Sequence, residues 1–156
     1  MYRKILAPLD GSEFSECALA HVKAIAAGCE VPEVVLLRVV EPIHSTDLAA
    51  YAEAGIDTVL LMRDVEQAAR AYMERMTGEL KKTGLSVQGV VSIGWAADQI
   101  LGYAAENNVD LIIMSTHGRG GIGRWFMGSV TDKVVRHSPV PVLTVAPPGC
   151  RIGQPK

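Results

Sequence analysis

Short apolar runs rich in β-branched residues alternate with long helical patterns along the chain. The first run is Lys4–Leu9, the second is "VVLLRVV" at Val34–Val40, and "VDLIIMS" at Val109–Ser115 follows later. Such alternation is typical of βαβ units, which place parallel strands in one sheet with helices beside it. Because Val34–Val40 is apolar at nearly every position, we expect that strand to be covered on both faces. The sequence therefore predicts an α/β fold on a parallel sheet.

Two further runs complete a predicted sheet of five strands. "LSVQGVVSIG" at 85–94 is the weaker because Gly89 interrupts it, and "VPVLTVA" at 140–146 contains Pro141. Proline lacks an amide hydrogen, so Pro141 indicates an edge strand or the start of a strand. An edge of this kind can pair with another chain.

The helical patterns lie between these strands. Ser12 can cap a helix whose apolar face is formed by Ala18, Leu19, Val22, Ile25 and Ala26. Helical spacing continues over 57–83, 96–106 and 129–137, and the last helix ends before Ser138-Pro139. The stretch at 42–56 is longer than most connections, which indicates either a functional flap or a locally ordered insert.

The length of 156 residues fits one domain, which we expect to span 1–147 and to be followed by a loose tail at 148–156. Hydrophobic residues make up 49% of the chain, yet no apolar run approaches the ~20 residues needed to cross a bilayer. The opening "MYRKILAPLD" lacks the apolar core of a signal peptide. We therefore expect a cytoplasmic protein with no membrane partner.

Charge and cysteine content exclude two other classes. A net charge of −2 with interspersed signs offers no basic stripe for a nucleic-acid backbone, so nucleic acid is not an expected partner. The three cysteines form no CxxC pattern. An odd number without that spacing argues against a disulfide framework or a thiolate zinc site and predicts buried or idle thiols.

A glycine-rich segment follows the fourth predicted strand, and Gly118, Gly120 and Gly123 spell GxGxxG within it. A dinucleotide fingerprint requires these glycines to open a helix and an acid about 20 residues later. Instead "RWF" follows the third glycine, and the next strand carries no acid. A P-loop fails as well, because Arg124-Trp125 stands where Lys-Ser/Thr should bind the phosphates.

A different pair of glycines fits a phosphate site better. Gly118 ends the strand, and after nine residues Gly128 and Ser129 open the last helix. Free amides and the positive end of the dipole attract anions at a helix N-terminus. Ser129 and Asp132 also form an S-x-x-D pattern, so Ser129 either caps the helix or offers its hydroxyl to a phosphate. A glycine-rich surface loop with an ordinary cap remains the alternative.

The charges around this segment favour an anion. No acid occurs between Asp110 and Asp132, whereas positive charge is available from His117, Arg119 and Arg124.

Sheet topology predicts what faces the glycine-rich segment. Ligands of open parallel sheets bind outside the carboxyl ends of the strands, where the strand order reverses. If the first and fourth strands are neighbours, that crevice receives Pro8–Ser12 from one side and 115–118 from the other. A carboxylate such as Asp10 repels a phosphate unless it holds a ribose hydroxyl or shares a metal, so Asp10 suggests a nucleotide. The alternative for Asp10 is a turn residue that bonds its own backbone.

Three blocks of the sequence resemble the universal stress protein family. They are "ILAPLDGS" at 5–12, "GWAADQI" at 94–100 and "MSTHGRGGIGRWFMGSVTDKVVRHSPVPVLTV" at 114–145. The resemblance implies a five-stranded parallel sheet of order 3-2-1-4-5 with helices on both faces, a Rossmann-like fold of the adenine nucleotide alpha hydrolase type. It also implies a role in the stress response and a homodimer joined through the fifth strands.

The resemblance extends to the glycine motif. ATP-binding members carry G-x2-G-x9-G-S/T, whose second and third glycines and hydroxyl match Gly118, Gly128 and Ser129. The first glycine falls on Ser115, whose side chain can crowd the phosphates, although serine is small and its hydroxyl can bond an oxygen. The resemblance thus implies ATP or a related adenylate, alone or with Mg²⁺. The alternative is a dimeric stress protein that binds no nucleotide and acts through protein partners.

The resemblance further implies that Asp10 contacts the ribose or adenine side and that the Val39 backbone meets the adenine. The predicted nucleotide-binding set comprises Pro8, Leu9, Asp10, Gly11, Val39, Ser115, His117, Gly118, Arg119, Gly121, Gly128, Ser129 and Val130. The sequence places no base beside a nucleophile, and His117 is the histidine nearest the loop. We therefore expect no enzyme beyond slow ATP hydrolysis, no catalytic residue and no dedicated metal site.

Overall fold

The computed structural model describes residues 2–116 and 127–146. The strands are β1 (Lys4–Pro8), β2 (Glu33–Val40), β3 (Val87–Ile93), β4 (Leu111–Ser115) and β5 (Val142–Val145). The helices are α1 (Glu13–Glu16), α2 (Ala18–Gly28), α3 (Leu48–Glu53), α4 (Thr58–Lys81), α5 (Ala96–Glu106) and α6 (Ser129–His137).

The five strands form one parallel sheet in the order β3-β2-β1-β4-β5. β1 pairs with β2 on one side through Lys4 opposite Glu33, and with β4 on the other through Ile5 opposite Leu111. The chain therefore reverses direction across the sheet between β1 and β4. The predicted fold class and strand order are confirmed.

Helices cover both faces of the sheet. On one face α2 and α4 pack against inward side chains of β1 and β2 such as Ile5, Val34 and Leu36. On the other face α5 and α6 pack against Leu6 and Ile112. Burying each large aliphatic side chain contributes about 1.5–3 kcal/mol, so these two apolar layers fix the sheet and hold its carboxyl edge in place.

The first predicted helix is divided in two. α1 ends at Glu16 and α2 begins at Ala18, with Cys17 between them. Ser12 is the N-cap of α1 as predicted, because its side chain accepts a hydrogen bond from the Ser15 amide at 3.2 Å. Cys29 is a free thiol.

The stretch at 42–56 contains α3, so it is at least partly an ordered insert. α3 buries none of its residues. α4 follows after Asp57, whose carboxylate caps it by accepting from the amides of Val59 and Leu60. Val59 is 76% exposed, and α4 meets the sheet from Ala69 onward.

β5 lies at one edge of the sheet, as Pro141 predicted. Pro141 precedes the strand, and its carbonyl accepts a hydrogen bond from the Ile112 amide at 3.0 Å. The predicted tail at 148–156 lies outside the described residues. None of the described helices combines the length and apolar character that a membrane span requires.

Candidate functional site

The candidate site lies at the carboxyl edge of the sheet, where β1 and β4 are neighbours. β1 ends at Pro8 and β4 ends at Ser115, so two chain segments leave the sheet side by side. In open parallel sheets a crevice forms at this reversal point. The predicted residues from 8 to 11 occupy one side of it, and Ser115 ends the strand on the other.

The turn between β1 and α1 is built around the Asp10 carboxylate. Its Oδ1 accepts hydrogen bonds from the Ser12 amide at 2.9 Å and from the Ser12 hydroxyl at 2.6 Å. The Asp10 amide donates in turn to the Ser15 hydroxyl at 3.2 Å. Gly11 has a φ of +82°, a conformation that glycine adopts without steric cost. Asp10 is thus a turn residue that bonds its own backbone, and its carboxylate is held rigidly beside the crevice.

The other wall is the start of α6, which Gly128 opens. The Gly128 amide donates to the Thr116 carbonyl at 2.8 Å. Thr116 directly follows β4, so this bond fixes the position of the N-cap of α6 relative to the sheet. A Cβ added at Gly128 would lie 3.3 Å from that carbonyl oxygen, which explains why the smallest residue stands there. Ser129 is the first helical residue and is exposed. Of the two roles considered for Ser129, the structure does not show capping, because the N-cap is Gly128, one residue earlier.

Gly128, the N-cap of α6, has no side chain that could bond the first amides of the helix. Within residues 2–116 and 127–146, no hydrogen-bond acceptor is found for the amides of Ser129, Val130 and Thr131. Asp132, the acid in this turn, accepts two hydrogen bonds from Arg136 Nε, each at 2.9 Å. Uncapped amides and the dipole of a helix together favour an anion. This end of α6 therefore has the chemistry of a phosphate site.

Thr131 fixes the position of α6 relative to β4. Its hydroxyl donates to the Ser115 carbonyl at 3.0 Å, and both residues are buried. The Thr116 amide donates to the Val145 carbonyl at 2.9 Å and ties the same corner to β5. Thr131 and Thr116 were not among the predicted site residues. The signal for Thr131 was a hydroxyl on the buried side of a short amphipathic helix.

The end of β2 presents main-chain groups toward the same edge. Alternate residues of a parallel strand direct their N–H and C=O groups to opposite neighbours. The Leu37 carbonyl bonds the Leu9 amide on the β1 side, and the Val40 carbonyl bonds the Gly94 amide on the β3 side. The main-chain groups of Val39 therefore face the β1 side, where the chain has already turned away at Asp10. This orientation suits the predicted backbone contact of Val39 with a base.

A phenol anchors the β1–α1 turn from α4. The Tyr72 hydroxyl donates to Glu16 Oε1 at 3.0 Å, and the Arg75 guanidinium lies 5.3 Å from the Tyr72 ring centre. Burial, the hydrogen bond and the Glu16 charge raise the pKa of the Tyr72 phenol far above its usual value. The phenol therefore remains protonated and keeps donating at ordinary pH. Sequence patterns gave no sign of this link.

Nine of the thirteen predicted site residues lie in the described part of the chain, at or near this edge. They are Pro8, Leu9, Asp10, Gly11, Val39, Ser115, Gly128, Ser129 and Val130. The other four, His117, Gly118, Arg119 and Gly121, lie outside the described residues. Among the residues that the structure does describe, no cluster of three or more His, Cys, Asp or Glu is arranged to hold a metal ion.

The architecture is that of doubly wound α/β proteins, which bind ligands at this edge of the sheet. The family model described as "Universal stress protein family" matches residues 1–146. The chain therefore belongs to the universal stress protein family, as its sequence resemblance predicted.

One relative is similar in both sequence and structure. "Universal stress protein MJ0577" of Methanocaldococcus jannaschii is 34% identical over 155 residues, covering 93% of this chain and 95% of the relative. The solved structure of hypothetical protein MJ0577 superposes with a TM-score of 0.79 at 33% identity and covers 99% of both chains.

Two more distant solved structures contain nucleotides. A universal stress protein in complex with cAMP superposes with a TM-score of 0.66 at 21% identity, over 93% of this chain and 97% of that one. A family protein from Arabidopsis thaliana with AMP bound superposes with a TM-score of 0.60 at 15% identity, over 92% and 90%. At these identities the similarity shows the shared fold.

Proposed function

We propose that this protein binds ATP or a related adenine nucleotide between the ends of β1 and β4 and acts as a cytoplasmic stress-response module. The observation that carries the proposal is the uncapped N-terminus of α6 beside the rigid turn at Asp10. A phosphate group supplies the acceptors that the first amides of α6 lack. The cAMP and AMP complexes of two structural neighbours support an adenine nucleotide as the ligand class.

Each wall of the crevice has a distinct role in this proposal. Ser129 and Val130 offer their amides to the phosphates, and Gly128 leaves room for a close approach to the backbone. Asp10 contacts the ribose side, where a carboxylate accepts from hydroxyl groups without meeting the phosphate charge. Val39 offers its main-chain groups to the adenine edge. His117, Gly118, Arg119 and Gly121 belong to the same proposed set on the strength of the sequence alone.

The residues around the crevice give little support for fast chemistry. Two of the hydroxyls around the crevice are already engaged, since Thr131 donates to the Ser115 carbonyl and Ser12 donates to Asp10. We expect the protein to hold ATP, with or without Mg²⁺, and to signal through a changed surface. Turnover should stay below about one per second, the low end for ordinary enzymes.

Calorimetric titration with ATP and Mg²⁺ tests the proposal. The variant Gly128→Asp places a carboxylate at the N-cap, where it occupies the α6 amides and repels phosphate. We expect this variant to weaken ATP binding about tenfold or more, since charge-assisted hydrogen bonds contribute about 1.5–3 kcal/mol. The matched control is Gly102→Asp on α5, where an added Cβ meets nothing within 4 Å. Absence of heat at millimolar nucleotide in the unaltered protein contradicts the proposal.

A second candidate function follows from Ser115, which stands where ATP-binding members have the first glycine of their motif. In this alternative the protein binds no nucleotide and acts through protein partners. Ser115 is 5% exposed, and it ends β4 beside the crevice. If its side chain crowds the phosphates, Ser115→Gly should create or strengthen ATP binding in the same titration. Unchanged binding in that variant counts against crowding.

A further inference from the structure

A second hollow lies away from the carboxyl edge, between α4 and the edge strand β3. Its volume is about 340 Å³, within the range of ligand-binding clefts. Its walls are formed on the α4 side by Arg70, Met73, Glu74, Thr77, Gly78 and Lys81, and on the β3 side by Gly89 and Val91. Because β3 is the outermost strand, the hollow is a groove with a helix on one side and a sheet edge on the other.

The β3 wall of the groove exposes main-chain hydrogen-bonding groups. The Ser86 carbonyl accepts from the Val34 amide, and the Gly94 amide donates to Val40, so the even-numbered residues of this segment face β2. The intervening odd-numbered residues, including Gly89 and Val91, direct their N–H and C=O groups outward. An unpaired strand edge is a template for another extended segment.

The floor of the groove contains a polar atom without a partner. Thr77 is 9% exposed, and its hydroxyl oxygen is buried with no hydrogen bond in the described residues. A Cβ built on Gly89 would lie 2.6 Å from that oxygen, so the glycine is what lets the hydroxyl sit against the strand. A buried unpaired hydroxyl costs about 1–3 kcal/mol, and a ligand with a donor or acceptor would offset this cost once the Thr77 side chain turns toward the groove.

The charged residues along the groove would set the orientation of a bound segment. Arg70 is already paired with Glu66 at 2.6 Å. Within the described residues, neither Lys81 nor Glu74 forms an ion pair. These two positions are seven residues apart on one helix, or about 10 Å along its axis. That separation matches three to four residues of an extended strand.

We propose that this groove binds an extended segment of a partner protein, which adds to β3 as an antiparallel strand. α4 and β3 run in opposite directions, so Lys81 lies toward the start of β3. The segment would place an acid near Lys81 at its carboxyl end and a base near Glu74 at its amino end. Between them, a side chain with a hydroxyl group would point to Thr77. This surface is separate from the nucleotide crevice, so the two proposals stand or fall independently.

A synthetic peptide tests the groove directly. The probe is a fluorescein-labelled peptide with the core lysine, valine, threonine, valine, glutamate, in which alternate side chains face α4. Its matched control exchanges the lysine and the glutamate. We expect fluorescence anisotropy to show about fivefold weaker binding for the exchanged peptide, since single exposed ion pairs contribute about 0.2–1 kcal/mol each. Equal affinity of the two peptides overturns the proposal.

Protein variants separate the strand edge from the helix. Val91→Pro removes an outward amide without breaking the ladder to β2, and it should weaken the peptide about tenfold. Lys81→Glu should weaken it about fivefold, whereas the neighbouring Lys82→Glu, outside the groove, should leave it unchanged. Far-ultraviolet circular dichroism shows whether Val91→Pro is folded. If it is not, the comparison of Lys81→Glu with Lys82→Glu tests the proposal. Equal binding by Lys81→Glu and Lys82→Glu overturns the proposal.

Amide hydrogen exchange reports what covers the edge. The Gly89 and Val91 amides should exchange rapidly in the free protein and become protected when the peptide is added. Protection that rises with protein concentration alone would mean that a second copy of this chain occupies the edge, and it would overturn the peptide proposal.

Discussion

Thr131 is the residue on which the geometry of the proposed phosphate site most depends. The Thr131 hydroxyl donates a hydrogen bond to the Ser115 carbonyl at 3.0 Å, and both residues are buried. The bond joins the end of β4 to the first turn of the helix, so it aims the uncapped amides at the crevice.

Removing that hydroxyl should loosen the corner. Thr131→Val keeps the shape of the side chain but removes the hydrogen bond to the Ser115 carbonyl, and a hydrogen bond of this kind contributes about 0.5–1.5 kcal/mol. Urea unfolding should show this loss, while Thr131→Ser, which retains the hydroxyl, should keep most of the stability. Equal stability of the valine variant and the unaltered protein would mean that the bond contributes nothing.

At this scale the sequence predicted which residues are near the site better than it predicted their roles. Gly128 and Ser129 were identified by spacing and Asp10 by its position after the first strand, and the structure places these residues after β1 and at the start of α6. The capping rule could not choose between Gly128 and Ser129, because glycine and serine are both acceptable N-caps. The choice is made by the Thr116 carbonyl, a tertiary contact that no local pattern contains.

At the scale of elements, α4 and β3 meet through one close contact. Gly89→Ala would bring a Cβ to 2.6 Å from the Thr77 hydroxyl, so the Thr77 side chain, the helix or the strand must shift. Overpacking of this kind typically costs about 1–3 kcal/mol of unfolding free energy.

A double-mutant cycle checks this contact. The same glycine substitution in a Thr77→Ala background should cost clearly less, because the clashing atom is gone. Thermal unfolding of the four proteins measures both costs. If the two costs are equal, the Thr77 side chain is not what excludes a Cβ from position 89.

The starts of β1 and β4 are joined through Asp110. Its Oδ2 accepts from the amides of Arg3 at 2.7 Å and Lys4 at 2.9 Å, and these bonds lower the pKa of the Asp110 carboxyl below 3.8. A lowered folded-state pKa means stability that is present above the unfolded-state pKa and is lost as the pH falls through the folded-state value.

Asp110→Asn should therefore be less stable than the unaltered protein at pH 7, by about 1 kcal/mol for an exposed charged acceptor. The difference should shrink as the pH is lowered from 7 toward 2, because the carboxyl becomes protonated in both states once the pH falls below its folded-state pKa. Urea unfolding at the two pH values measures it. A difference that does not change with pH would show that charge is not the cause.

Element boundaries show where sequence reasoning is limited. Apolar periodicity predicted one helix after Ser12, whereas the chain breaks at Cys17 into α1 and α2. The periodic face begins at Ala18, so the apolar pattern carried no information about the four residues of α1. α3 was not predicted as a helix because it buries none of its residues and has no apolar stripe to detect.

At the scale of the whole molecule, alternation and family resemblance predicted the fold correctly. Strand order is set by which strands bury their faces together, and the nearly unbroken apolar character of β2 already implied an inner position. The edge at β5 was also anticipated, through Pro141. The predicted homodimer cannot be derived in the same way, because dimerisation depends on how the surfaces of two chains fit together.

The predicted homodimer through β5 has a sharp test. The Val145 carbonyl bonds Thr116, so odd-numbered residues of β5 face β4 and the Thr144 amide faces outward. Thr144→Pro should therefore leave each copy folded but convert a dimer to a monomer in sedimentation velocity. Val91→Pro makes the same change at the opposite edge and serves as the control. A dimer that persists in Thr144→Pro would place the interface elsewhere.

The central claim concerns the first turn of α6, and an NMR titration with ATP measures it most directly. We predict that the amide resonances of Ser129 and Val130 shift strongly and saturably, that Val39 shifts with them, and that Gly102 on α5 stays in place. If ATP binds and moves other amides while Ser129 and Val130 remain unchanged, the phosphates are bound elsewhere and the account is wrong.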